Sequence, residues 1–134
     1  MHKVLATLRA DGSPRVSGIE ARFTDGELWL AGMPRSVTFA DLRRDPRMAL
    51  HSGSDDPDSC TADATISGRA MEITDPARLA AFAGSAEVPG EAQPFELFRI
   101  EVDQVVLTAL SDAKDALVIS SRRPGKGLTH VRRT

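Results

Sequence analysis

The chain is poor in the residues that make special chemistry. It has one cysteine, Cys60, three histidines, one tryptophan and no tyrosine. A lone cysteine excludes an intrachain disulfide framework, and nothing argues for secretion. No apolar run is long enough for a membrane helix, and the N-terminal stretch MHKVLATLRADG is not a signal peptide. The expectation is a soluble, cytoplasmic protein with no membrane partner. Net charge is only −2, so the chain is not built as a whole to embrace nucleic acid. Trp29 and five phenylalanines are too few to serve both a core and a base-stacking surface, which again points to no nucleic acid.

Catalytic constellations are equally scarce. His2, His51 and His130 are far apart in sequence, and no serine sits in a G-x-S-x-G elbow. Cys60 lies in an acidic loop with Asp55, Asp56 and Asp58, and Asp63 follows closely. That setting keeps a thiol protonated. The aspartates lack the spacing of an EF-hand, so they read as a solvated loop with no metal.

What remains is a well-patterned globular chain, 41% hydrophobic and 27% charged over 134 residues, enough for one domain spanning 1–134. Val4 to Arg9, Arg15 to Phe23 and Glu27 to Ala31 read as three antiparallel strands, joined by turns carrying Asp11-Gly12 and Asp25-Gly26. Leu28 and Leu30 point one way, Trp29 and Ala31 the other, so both faces of this sheet need cover. Ser36 or Thr38 is placed to cap a short helix with Phe39 and Leu42 on its buried side. Arg43 and Arg44 fall in its last turn, and Asp45-Pro46 ends it. Met48 to Ser52 and Ala62 to Ile73 are further strands, the second with a bend or bulge expected at Gly68. Asp75-Pro76 opens a second helix, and a loop is expected over Gly84 to Pro94. Strands follow at Phe95 to Leu110 and Ala116 to Ser121, ahead of a basic tail, RRPGKGLTHVRRT. Six or seven strands with two short helices make a mainly β chain, a small barrel.

Two stretches could hold an anion. In Met33 to Thr38, the side chains of Arg35, Ser36 and Thr38 with the helix N–H groups could meet a phosphate, although a capped helix with a surface arginine explains the same residues. In Arg122-Arg123-Pro124-Gly125-Lys126-Gly127 the glycines allow close backbone approach and the cations neutralise; a solvated basic tail explains that pattern equally well. His51 ends a strand and could face a cleft or simply form part of a wall.

The ordered set ATLRADGSPRVSGIEARF, DGELWLAG, DLRRDPRMALHS, ATISGRAMEITD, FELFRIEVDQVVLTAL and VISSRRPGKGL resembles the pyridoxamine 5′-phosphate oxidase-like family, the flavin- and deazaflavin-binding split β-barrels. The resemblance runs over nearly the whole chain. It implies a homodimer with two cofactor clefts at its interface, holding FMN or the deazaflavin F420. By position, Arg35, Ser36 and Thr38 would meet the phosphate. Ser17, Gly18, Ile19, Ala31 and Gly32 would line the ring, and Arg122, Arg123 and Gly125 would close the cleft from the partner chain. The implied function is an oxidoreductase moving hydride between the bound cofactor and a small organic substrate. Three departures stand out: Thr38 replaces a common Lys, Arg122 replaces a common Trp, and the N-terminal helix common in relatives is expected to be either absent or missing from this version of the chain before Val4. They keep open a non-catalytic binder of flavin, F420 or haem, with His51 or His130 as the haem ligand.

Overall fold

The computed structural model describes residues 2–53, 62–85 and 94–134. Asp55, Asp56, Asp58 and Cys60 lie outside the described residues. Eight strands and two helices occur in the order β1 His2–Leu8, β2 Pro14–Thr24, β3 Glu27–Gly32, α1 Val37–Arg44, β4 Arg47–His51, β5 Ala62–Ile73, α2 Pro76–Ser85, β6 Glu96–Leu110, β7 Leu117–Arg122 and β8 Leu128–Arg133.

All pairings are antiparallel, in the order β3-β2-β1-β4-β5-β6-β7-β8, and β3 also pairs with β6. That extra pairing closes the first six strands into a barrel. The length of β6 makes this possible. Its first residues, Glu96 to Ile100, pair with β3, while Val105 to Leu110 run on to pair with β7. The split barrel is therefore as the sequence suggests, with one addition. The basic tail forms β8, hydrogen-bonded to β7 from Leu117↔Arg133 to Arg122↔Leu128.

Alternation along β1, β2 and β3 turns Leu5, Ile19, Leu28 and Leu30 inward. They meet Met48, Leu50, Ala70, Phe98 and Ile100 from the other barrel strands, and Phe39 and Leu42 from α1. Phe39 and Phe98 pack with ring centroids 4.7 Å apart. Trp29 and Ala31 face outward and are covered by Leu79 and Phe82 of α2, with Ile73, Phe95 and Leu97. Both faces of β3 are thus covered, as its pattern requires. α2 begins at the Asp75-Pro76 signal but runs through Gly84, which the sequence suggests as loop; the apolar spacing of Leu79, Phe82 and Ala83 carries the helix past the glycine.

Gly68 lies where the expected irregularity falls. The β5–β6 register jumps there from Ser67↔Gln104 to Gly68↔Val102, leaving Asp103 as the extra residue.

Candidate functional site

α1 sits across the barrel against β1 and β2. Ser36 is its N-cap: the Ser36 hydroxyl accepts the Phe39 N–H at 3.1 Å. The N–H groups of Val37 and Thr38 belong to the first turn, which has no intrahelical acceptor to offer them. The Arg35 side chain is exposed and has no partner among the described residues. Arg35, Ser36 and the start of α1 therefore form one corner that combines an exposed cation with the first-turn N–H groups.

Thr38 points the other way. It is buried, and its Oγ1 lies 2.9 Å from Ser17 Oγ on β2, where either hydroxyl can donate. Two of the residues suggested for a cofactor site are thus brought together, but in the interior. Ile19 is inward as well, next to Phe39 and Gly32. A Cβ added at Gly32 would stand 3.0 Å from the Phe39 ring, so this glycine admits the helix to the barrel. Ala31 lies beneath α2.

Gly18 faces outward, paired with Val4, which in turn pairs with His51. Nothing lies within 4 Å of a Cβ placed on Gly18, and the neighbouring Val4 and Val16 are exposed. This leaves a flat, apolar, open strip on the outer face of β1 and β2. To a group on that strip, Gly18 presents its face, whereas Ser17 and Ile19 present only backbone. At the strip's edge His51 Nδ1 accepts the Gly53 N–H at 2.9 Å, so the neutral ring carries its proton on Nε2, 3.7 Å from Asp63.

Arg122, Arg123 and Gly125 are elsewhere. Arg122 ends β7 opposite Val105, while Ala31 faces Leu97, eight residues back along β6 and roughly 26 Å away at strand rise. Arg123 reaches Gln104 at 3.3 Å, and His130 bonds Ser120 at 2.7 Å. Within one chain the hairpin does not join the α1 corner.

Two charge networks escape notice in the sequence. In the first, buried Asp41 accepts from Thr7 at 2.8 Å and Arg15 at 2.7 Å, with Arg44 at 3.4 Å. Burial alone would raise the Asp41 pKa, but these donors outweigh it and hold the carboxyl below its ordinary value. A group depressed in the folded state contributes fully above its unfolded pKa, near 4, and loses that contribution as pH falls through the folded value. Asp41→Asn should therefore be less stable than the parent at pH 7, with the gap closing below about pH 4. Urea denaturation at several pH values measures this; a pH-independent gap would refute it.

In the second network, Arg43 grips Glu72 bidentately, at 2.6 and 3.1 Å, and also bonds Glu96. Its guanidinium lies 5.7 Å from the centroid of the Phe98 ring. The other Glu96 oxygen accepts the backbone N–H of Arg35 at 3.0 Å. The sequence reading assigns Arg43 only to the end of a helix dipole. Its acidic partners lie 29 and 53 residues away and become neighbours only through barrel closure.

The sequence profile of the family described as pyridoxamine 5′-phosphate oxidase matches residues 3–109. The chain belongs to this family. No curated protein matches the sequence significantly. Solved structures agree on the fold of this family member. A pyridoxamine 5′-phosphate oxidase-related, FMN-binding protein from Nostoc punctiforme superposes with a TM-score of 0.72 at 15% identity, covering 99% of this chain and 87% of that one. PhzG from Burkholderia lata, solved with tetrahydrophenazine-1-carboxylic acid, gives 0.68 at 16% identity, covering 98% and 80%. General Stress Protein 26 from Bacillus anthracis gives 0.61 at 19%, covering 79% and 82%. No helix among the described residues is long and apolar enough to cross a membrane.

Proposed function

We propose that this member of the pyridoxamine 5′-phosphate oxidase family is an oxidoreductase that binds FMN, with the deazaflavin F420 as the alternative cofactor. The observation that carries this reading is the corner at the start of α1. Arg35, exposed and with no side-chain partner among the described residues, directly precedes the Ser36 cap and the first-turn N–H groups of α1, which suits a phosphate. The outer strip of Gly18, Val4 and Val16 supports it, because it is flat and apolar and can take one face of a planar ring. FMN binding by the Nostoc relative favours FMN over F420.

The cofactor supplies hydride transfer when bound, and the chain's residues orient it and keep water away. A strip open on one side needs a second wall. The proposed wall is a second copy of the chain, forming a homodimer in which the partner's Arg122, Arg123 and Gly125 face the cleft. The separation of the β7–β8 hairpin from the α1 corner within one chain supports that arrangement. The substrate would be a small organic molecule stacked on the exposed face of the ring.

Replacing Arg35 by alanine tests the phosphate contact. A charge-assisted hydrogen bond contributes about 1.5–3 kcal/mol, so FMN affinity should fall about 10- to 150-fold in a fluorescence titration. Equal affinities for parent and Arg35→Ala would take Arg35 out of the site.

A further inference from the structure

The backbone at Arg35 is in the left-handed region, with φ 65°. Asp25 and Lys114 share that conformation, but both lie in turns that connect neighbouring strands. Arg35 instead lies between β3 and α1, and a side chain from another strand holds its N–H. A non-glycine residue in this region is held against an intrinsic preference of about 1 kcal/mol or more, and such strain concentrates at functional positions.

The holding group is the Glu96 carboxylate. Because Gly32 pairs with Glu96 across the β3–β6 closure, this side chain stands where the chain leaves β3 for the turn. One oxygen takes the Arg35 N–H and the other is fixed by Arg43. Arg43 is fixed in turn by Glu72 and by the Phe98 ring. Both carboxylates keep the guanidinium charged, and although burial would raise the Glu96 pKa, the Arg43 hydrogen bond, the Arg35 N–H and the Arg43 charge together outweigh it and hold the carboxyl below its ordinary value.

We infer that Glu96, locked by Arg43, is a positioning residue for the anion-binding corner. It sets the backbone at Arg35, and so the direction in which the Arg35 guanidinium and the first amides of α1 face. This rests on the phosphate reading of that corner. The clamp also answers an electrostatic problem. Two carboxylates beside a phosphate would repel it, and Arg43, bonded to both, offsets one of the two charges without touching the ligand. Glu96 is therefore useful as a hydrogen-bond acceptor and harmful as a bare charge.

Those two aspects separate by substitution. FMN and riboflavin carry the same ring, but only FMN has the phosphate, so the ratio of their affinities reports the corner alone. Glu96→Ala should weaken FMN about ten-fold and leave riboflavin unchanged, since the turn loses its acceptor. Glu96→Gln keeps an oxygen for the Arg35 N–H and should hold FMN within about three-fold of the parent. Arg43→Met leaves both carboxylates uncompensated and should again weaken FMN about ten-fold, with riboflavin unaffected. Circular dichroism establishes that each variant is folded. If Glu96→Ala and Arg43→Met change both ligands equally, or neither, the clamp is only structural and the inference falls. A parent protein that holds FMN no better than riboflavin overturns the phosphate reading itself, and this inference with it, before any variant is compared.

Discussion

Phe39→Ala should destabilise the fold by about 3–5 kcal/mol, a large part of the 5–15 kcal/mol that holds a domain of this size together. Phe39 has no solvent exposure, and its ring fills the space between α1, the Phe98 ring and the backbone of Gly32. The cavity left by truncation has little to collapse into it. Ser36 pins the start of the helix through the Phe39 N–H, and Asp41 pins its second turn to Thr7 and Arg15. Both anchors survive the substitution, so α1 cannot simply settle inward. Urea unfolding gives the change in stability as a shifted midpoint at constant slope. A loss under about 1 kcal/mol would mean that α1 is not part of the core.

Gly68→Ala should cost about 3 kcal/mol, or prevent folding outright, although it adds a single methyl group. A Cβ at this position collides with the carbonyl oxygen of Glu101 and comes within 3.1 Å of the Val102 Cα. Both obstacles are backbone, held in the β5–β6 ladder next to the bulge, so neither can turn aside as a side chain would. Gly84→Ala makes the contrast. Nothing lies within 4 Å of its Cβ position and it sits in a helix, so alanine there should be neutral or stabilising by up to about 1 kcal/mol. Similar urea midpoints for the two variants would contradict the bulge as the reason for Gly68.

The bulge was legible in the sequence because a glycine interrupts a long run of strand formers. The start of α1 was legible for a similar local reason, since Ser36 and the Phe39–Leu42 spacing are short-range signals. β8 was not. Every residue from Leu128 to Arg133 is exposed, so no burial pattern marks the strand, and only backbone pairing with β7 makes it one. The tail therefore read as an anion-binding stretch or as solvated charge, and not as a strand.

The candidate site was legible in part. Arg35 and Ser36 were found from helix-start chemistry, and the structure puts them at one corner. Alternation along β2 divides Ser17 and Ile19 from Gly18, a distinction lost when the three are taken as a block. The contact of Ser17 with Thr38 spans 21 residues, and that of Arg43 with Glu96 spans 53. Such pairs are created by strand closure, and no local pattern announces them.

An amide NMR titration of the 14.4 kDa chain with FMN tests the central claim most directly. The account predicts that the signals of Arg35, Val37 and Thr38 move together with that of Gly18 on the outer strip, while those of α2, packed on Trp29 and Ala31 of β3, stay in place. Shifts centred on α2, or a spectrum unchanged by FMN, would contradict the proposal that the α1 corner and the Gly18 strip form one cofactor site.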